Sequence, residues 1–514
     1  MAADDGGGCA VLVVGNGPSA LALSFLLSGH EPQYNGTHSD PRVHSMMEKT
    51  PSLYDAVLHN LSLHRHIAQT QTGAASPING FLDSLAAPGI DFDPAGNQPL
   101  LSYKKRSAIP HLVVGSTFSA GGQWAGKDSP SQTLSYAEML SLPGYSFSQF
   151  VVETRGTPID PYTRPSRADV AAYYALYPSK VGISEFVRAN CTVLSLRRRE
   201  SQFFTVTLQN NDTGSLTVIT TRAIVLATGV FTHLVPPDPI LHPLMSWQQQ
   251  QTNNKTHTSD SVDDDDPILV VGSGFSAADA VLSIPRNRKV IHLYKWDPLT
   301  RPSPLRACHR ETYPEYASLY RLMRRSASGQ SVLSAHHKPT LDPVGLCGRY
   351  EGLPNCRVVE VPSVDTVRIQ LASGATVERK ISRLKTYVGR LGVISYLSAD
   401  LRNEIGVGAD QIWVSKHTLL YRISSRNDRW TALKDSEKGW RIEETRHSLD
   451  TQAELEEDRC DIVSDYAATH GLELTNGVFV IGSLVGDSLV RYALGGCVTV
   501  AGHLFERFEA MTCE

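Results

Sequence analysis

"VLVVGNGPSA", Val11 to Ala20, is matched further along the chain by "ILVVGSGFSA", Ile268 to Ala277. In each copy four apolar residues predict a short buried strand, Gly-x-Gly a tight turn, and the small residues after it the first turn of a helix. This is how dinucleotide-binding βαβ units begin. Gly15 and Gly272 can turn sharply as the strand ends, and Gly17 and Gly274 let a pyrophosphate approach the backbone without meeting a Cβ. At the third small position Ala20 and Ala277 let helix and strand pack closely. The N–H groups and positive dipole end of the helix then face the phosphates. One such fingerprint is compatible with an ordinary strand-turn-helix, whereas two copies, each on an apolar strand, predict two nucleotide sites.

Size allows two sites, because 514 residues exceed what one hydrophobic core usually supports and predict two or three domains. At 41% hydrophobic, 19% charged and a net charge of −4, the composition is that of a soluble globular chain with no basic excess to engage nucleic acid. "MAADDGGG" at the start is acidic and lacks the basic segment and apolar core of a secretory signal. No apolar run approaches the ~20 residues needed to span a bilayer, so the expected compartment is the cytosol. Eight cysteines are scattered, at 9, 191, 308, 347, 356, 460, 497 and 513, without Cys-x-x-Cys or zinc-like spacing. That disfavours a disulfide reductase, which needs a redox-active pair beside its flavin. The spacing of His59, His64 and His66 in "HNLSLHRH" matches no metal template, and a solvated helix face is the plainer reading.

Between the fingerprints, the pattern predicts a helix from Pro18 to about Gly29 and a third strand in "HLVVGSTFSAGGQW", His111 to Trp124. Residues 191–230 read as a β-meander: "FFTVTL", a turn at "NNDTG", a second strand "SLTVIT", then the buried strand "AIVLATG". Residues 251–267, "QTNNKTHTSDSVDDDDP", are polar and aperiodic, with four adjacent aspartates that repel and stay solvated, which predicts a flexible linker.

After the second fingerprint, "KVIHLYKW" is the expected second strand of its unit. The residue at its end selects the nicotinamide cofactor: an acid binds the ribose 2′-OH of NAD, a base accepts the 2′-phosphate of NADP. Lys295 stands there with Arg301 close behind, so NADPH is expected. In the first unit the second strand is expected near "EPQYN", but Glu31 comes early and Asp40 late, and no acid sits cleanly at a strand end. Near the C-terminus "GVFVIGSLVGDSLVRYALGGCVTVAGHLF" reads as strand, glycine turn, helix. In flavoproteins with two nucleotide domains such a late strand returns to the flavin, and the helix dipole after it stabilises negative charge on the ring. Either Gly482-Ser483 or Gly486-Asp487 could take the Gly-Asp position, and Asp487 is favoured as a hydrogen-bonding residue on the ribityl chain.

Taken in order, "VLVVGNGPSALALSFLLSG", "GGQW", "TLSYAEMLSLPGYSF", "LATGVF", "ILVVGSGFSAADAVL", "TYPEY" and "GSLVGDSLVRYALGG" make the chain resemble the oxidative stress-induced growth inhibitor family, itself similar to flavin-containing and N-hydroxylating monooxygenases. The similarity runs from Val11 to about Phe505; the acidic insert and Glu437–Asp458 depart from it. The resemblance implies an FAD-dependent, NADPH-using monooxygenase activity, with oxygen adding at flavin C4a and one atom passing to a small-molecule substrate, joined to a role in growth, cell division or cell death. Protein partners would belong to that regulatory role. The monooxygenase signature F-x-G-x-x-x-H-x-x-x-[YFW] is absent, since "ILHPLMSWQQQ" holds His242 and Trp247 without the phenylalanine, glycine or spacing.

The expected fold is α/β: two Rossmann-like dinucleotide-binding domains, with an NADPH domain (266–365) inserted into a discontinuous FAD domain (1–250 and 366–514) and 251–265 as the acidic flexible linker. Expected FAD contacts are Gly15, Gly17, Pro18, Ser19 and Ala20, the loop Gly122, Gln123 and Trp124 with the indole packed against the flavin, Ala227, Thr228 and Gly229, and Gly486 and Asp487. Expected NADPH contacts are Gly272, Gly274, Phe275, Ser276, Lys295 and Arg301. No metal site and no side-chain catalyst are assigned. Because the cofactor carries the hard chemistry, the motifs are equally compatible with a regulatory flavoprotein that binds both cofactors without turnover, and less so with an oxidase that releases peroxide.

Overall fold

The computed structural model describes residues 8–512 apart from 72–73, 94, 96–97, 127–131, 201, 255–265, 296, 300–302, 309–312, 329–344, 347, 416–417 and 426–471. The chain divides into two compact units, Met1–His233 with Leu391–Glu514, and Leu234–Arg390.

In the first unit β1 (Cys9–Val14) runs into α1 (Pro18–Leu27). Val11 to Val14 are apolar and buried, as a central parallel strand covered on both faces must be. Helix α1 is buried nearly all round, and Gly29 stops it at φ +85°, where a Cβ would lie 2.2 Å from the Arg106 carbonyl oxygen. An insert follows: β2 (His30–Tyr34) and β3 (Leu101–Lys105) pair antiparallel and bracket α2 (Pro41–Lys49), α3 (Leu53–His59), α4 (Leu61–Thr70) and α5 (Pro77–Ala86). Only then does β4 (His111–Val114) come back to lie parallel beside β1, Val114 opposite Val14.

Helices α6 (Phe147–Arg155) and α7 (Arg167–Lys180) precede β5 (Val187–Arg188), β6 (Cys191–Glu200), β7 (Phe203–Asn210) and β8 (Leu216–Leu226). "SLTVIT" and "AIVLATG" are not two strands but this one long strand, β8. Its first half pairs antiparallel with β7 and is largely exposed; its second half pairs parallel with β1 and is buried. The change of burial along one strand is what split the pattern in two.

The second unit begins at β9 (His233–Leu234) and continues with α8 (His242–Asn254), β10 (Ile268–Val271), α9 (Phe275–Leu282), β11 (Val290–Tyr294), α10 (Pro314–Ala327), β12 (Tyr350–Pro354), the antiparallel β13 (Arg357–Ser363), β14 (Thr366–Gln370) and β15 (Thr376–Lys380), and β16 (Arg383–Thr386). Its boundaries are wider than 266–365 because Leu241 and Leu244 on one side, and Val367, Ile369, Ile381 and Leu384 on the other, share one buried cluster with Leu269 and Ile291. Residues 251–254 of the expected linker continue α8; 255–265 lie outside the described residues, as does Glu437–Asp458.

The chain returns through β17 (Arg390–Val393), α11 (Ala399–Glu404), β18 (Trp413–Val414) and α12 (Thr418–Ser425) to β19 (Glu473–Thr475), β20 (Val478–Val480) and the long α13 (Ala493–Thr512). Strand β20 lies parallel to β8, and α13 buries Cys497, Val498, Val500, Ala501 and Leu504. The larger sheet runs β19-β20-β8-β1-β4-β5 and the parallel sheet of the second unit β12-β11-β10-β16. Counted from the fingerprint strand, both have the order 3-2-1-4 of a Rossmann-like unit, the smaller one inserted into the larger. Among the described residues no helix is long and apolar enough to cross a membrane.

Candidate functional site

In a sheet of this order a ligand sits outside the carboxyl ends of the strands where the winding reverses, between strands 1 and 4. Those ends are β1 and β8 in one unit, β10 and β16 in the other. Gly15 follows β1 at φ +116°, and a Cβ there would lie 2.4 Å from the Ala227 carbonyl oxygen just past β8. Gly272 follows β10 at φ +139°, and a Cβ would lie 2.3 Å from the Tyr387 carbonyl oxygen just past β16. The first glycine of each fingerprint is thus required by the neighbouring strand. The second glycines differ: a Cβ on Gly17 or Gly274 meets nothing within 4 Å. Each is instead the extended N-cap residue of its helix, and no side chain caps either α1 or α9. Pro18 fills a position whose N–H would be unpaired in the helix anyway, and Ser19 and Ala20 complete the first turn. Two helix amino ends with backbone donors, each beside space that a Cβ would fill, suit the pyrophosphate of a dinucleotide.

Around the first turn several predicted residues converge. Gly121 N donates to Asn16 O (2.9 Å), and at Gly122, φ +56°, a Cβ would lie 2.9 Å from Gly17 Cα. The "GGQW" loop therefore rests on the turn itself. Gln123 is exposed; Trp124 is half-buried, edge-on to Tyr174 with ring centroids 6.2 Å apart, and the Arg167 guanidinium stands 5.8 Å from its ring. Ala227 N donates to Val14 O (2.8 Å), and Gly229 takes φ +69°. Between them the Thr228 hydroxyl is buried and faces the buried Tyr396 hydroxyl.

The C-terminal motif needs a correction. Gly482 and Ser483, not Gly486 and Asp487, reach the turn: a Cβ on Gly482 would lie 2.7 Å from Ser19 Oγ, and Ser483 Oγ accepts from Val230 N (3.2 Å). The Asp487 carboxylate is taken up at the start of α5, accepting from Ala75 N (2.8 Å), Ser76 N (3.4 Å) and Asn79 Nδ2 (2.6 Å). Two glycines within one loop gave the sequence pattern two registers. The strand end decides between them, because Ile481 N donates to Leu226 O (3.0 Å) and so fixes Gly482 beside β8.

The second strand of the first unit is also corrected. "EPQYN" forms β2, outside the parallel sheet, and β4 stands beside β1. Glu31 accepts from Ser52 Oγ (2.7 Å) and Gln33 Nε2 (2.9 Å), while Asp40 caps α2 and meets His66 Nε2 (2.5 Å). Neither acid is left for a ribose. The three histidines of "HNLSLHRH" go to separate partners: His59 to Glu506 (2.5 Å), His64 to Val57 O (2.7 Å), His66 to Asp40. His64 is buried, so the solvated helix face expected there is not what forms.

In the second unit Phe275 packs edge-on to Tyr316, and Ser276 is exposed. His292, which the sequence reading passed over, lies 2.7 Å through Nε2 from Gly272 O and 2.9 Å through Nδ1 from Tyr350 OH. The carbonyl can only accept, so Nε2 carries the proton and Nδ1 accepts from the phenol. Burial holds this imidazole neutral, its pKa lowered to about 4. Lys295 is exposed just beyond β11; Arg301 lies outside the described residues. The segment after β11 also borders a cavity of about 480 Å³ lined by Leu299, Tyr320, Arg321, Arg324 and Arg325.

Residues 130–309 match the family model of L-lysine 6-monooxygenase/L-ornithine 5-monooxygenase. Over 97% of its length the chain is 26% identical to oxidative stress-induced growth inhibitor 1 of Mus musculus, covering 95% of that protein, and 23% identical over 96% to the Caenorhabditis elegans homologue, covering 93%. Over nearly its whole length the chain is thus similar to the oxidative stress-induced growth inhibitors. Among solved structures it is similar to a flavin-containing monooxygenase from Stenotrophomonas maltophilia (12% identity, TM-score 0.44, covering 98% and 99% of the two chains). It is likewise similar to an ornithine N-hydroxylase of Kutzneria sp. 744 (12% identity, TM-score 0.43, covering 98% and 100%).

Proposed function

We propose that this chain is a cytosolic, FAD-dependent monooxygenase that uses NADPH and O2 to oxygenate a small nucleophilic molecule, and that this chemistry serves growth control. The observation that carries the reading is the duplicated turn, in which one glycine is fixed by the strand beside it and the next leaves open space before an uncapped helix. The cationic groove that borders the segment after β11 favours a phosphorylated nicotinamide nucleotide over NADH. The family match across residues 130–309 supports oxygen transfer rather than disulfide chemistry, and the growth-inhibitor homologues support the regulatory role.

When bound, the flavin supplies hydride acceptance and oxygen activation. The balance is NADPH, a proton, O2 and substrate giving NADP+, water and oxygenated substrate. The residues of the chain bind and orient. Gly17 and the amino end of α1 receive the FAD pyrophosphate, Gly122 and Trp124 close over that turn, and Thr228 offers a buried hydroxyl beside it. Gly274 and the amino end of α9 receive the pyrophosphate of NADPH, with Lys295 at its 2′-phosphate. His292 holds the Gly272 carbonyl so that the second turn keeps its shape without adding charge.

The test is anaerobic mixing of the purified, FAD-loaded chain with NADPH, followed by readmission of oxygen while flavin absorbance and peroxide are recorded. Bleaching, then a transient absorbance distinct from both oxidised and reduced flavin before slow recovery with release of peroxide, supports the monooxygenase, because without substrate the two electrons can leave only as peroxide. Fast recovery to oxidised flavin with no transient species would mark an oxidase, and absence of bleaching a flavoprotein that binds without turnover; either result overturns the proposal.

A further inference from the structure

The loop leaving β4 carries an inference about how the first site reads the adenosine end of its ligand, and it rests on the FAD proposal. The residue that follows the second strand of a Rossmann-like unit ordinarily presents an acid to the ribose. Here that residue is Gly115, which directly follows the Val114 paired with Val14. A carboxylate has no room: a Cβ on Gly115 would lie 2.1 Å from the carboxamide carbon of Asn16. Asn16 is 2% exposed and fixed in that place, Nδ2 donating to Ser119 O (3.1 Å) and Oδ1 accepting from Thr117 Oγ1 (3.0 Å). Thr117 Oγ1 also lies 2.8 Å from Ser119 O, so its hydroxyl serves the loop.

What the loop leaves outward is Ser116 and Phe118. Phe118 is 69% exposed, yet its ring is backed: at Gly126, φ +68°, a Cβ would lie 2.5 Å from Phe118 Cε1. An exposed Phe alone says little, since single apolar side chains are common on surfaces. A ring lying over a left-handed glycine, four residues past the strand that should carry the ribose acid, says more. Every base offers a π-face, and stacking on an aromatic side chain holds it without hydrogen-bond readout.

We propose that the adenosine end of FAD is held on this loop without a carboxylate on its ribose, Phe118 serving as the platform for the adenine and the exposed Ser116 hydroxyl as the polar neighbour of the sugar. Asn16, buried in the turn between the two glycines, takes the space of the missing acid and fixes the loop that presents the ring.

The experiment is titration of the flavin-free full chain with FAD and, separately, with ADP, which carries the adenosine and both phosphates but no flavin. Phe118→Ala should raise both Kd values by about tenfold, and Phe118→Trp should keep both near wild type. Because the ring is exposed, the melting temperature of the flavin-free variant should not move. An unchanged FAD affinity in Phe118→Ala overturns the proposal, as does a loss for FAD that ADP does not share, which would place the ring against another part of the cofactor. A wild-type chain that binds ADP but not FAD would overturn the flavin reading itself.

Discussion

At the scale of single residues, the two glycines of one fingerprint do different work, and substitution separates them. Gly15 takes φ +116° against the Ala227 carbonyl, so Gly15→Ala strains the backbone and drives a methyl to 2.4 Å from an oxygen. The expected result is a destabilised chain that loses FAD because it loses the turn. Gly17→Val puts its side chain into open space, where the protein has nothing to displace. That variant should melt close to wild type once both are flavin-free, and emerge without yellow colour; stoichiometric FAD in it would remove Gly17 from the site. Lys295→Ala tests nucleotide choice. A charged hydrogen bond to a 2′-phosphate contributes about 1.5–3 kcal/mol, so the NADPH over NADH preference should fall by about tenfold or more. An unchanged ratio would leave discrimination to the arginines of α10. The glycines were legible in the sequence because their reason is local. Asn16 and Gly115 were not, because what each excludes is the other, 99 positions away in the chain.

At the scale of elements, the C-terminal segment is locked to α5 by a buried ion pair. Arg491 and Asp83 lie 2.5 Å apart with side chains 8% and 10% exposed, and Asp91 adds a second carboxylate to the guanidinium at 2.6 Å. Burial pushes the Asp83 carboxyl upward while Arg491 opposes the shift. Removing one partner strands a charge, so Arg491→Ala should cost about 3–5 kcal/mol, read as a lowered denaturant midpoint. The double change Arg491→Met with Asp83→Leu should cost much less, and equal losses in the two variants would show that packing, not charge, is what Arg491 supplies. Elements were legible where period and burial agree, as in β1, α1, β10, α9 and β11. They were misassigned where pairing is non-local: β4 is separated from α1 by an insert of four helices and a strand pair, and an apolar run states that it is buried but not which strand it lies beside.

At the scale of the whole molecule, each unit carries a buried histidine on the strand next to its fingerprint, and these set an acid limit to stability. His111, on β4, donates through Nδ1 to Ile109 O (2.8 Å) and accepts from Ser24 Oγ through Nε2 (2.8 Å). His292, on β11, is held between Gly272 O and Tyr350 OH. Burial lowers both to about 4 from an ordinary 6.5. The folded chain therefore keeps both neutral in a window where the unfolded chain protonates them. With more protons bound by the unfolded state, stability falls as pH drops through that window. The contribution is whole above about 6.5, is lost progressively down to about 4, and amounts to about 3 kcal/mol for each histidine at 1.36 kcal/mol per pH unit. Urea midpoints should accordingly fall between pH 7 and pH 5 in wild type. The fall should be shallower in His111→Gln and in His292→Gln, whose amides keep a donor and an acceptor but do not titrate. The contrast to record is the slope, not the midpoint at pH 7, because either change also disturbs packing. Equal slopes in wild type and the double variant would mean that acid sensitivity arises elsewhere. The same neutrality bears on the second turn, because an imidazolium at His292 would bury a positive charge beside the Gly272 carbonyl. Nucleotide binding by the folded unit should therefore hold through the same interval and weaken only as pH nears 4, and His292→Gln should remove that late weakening.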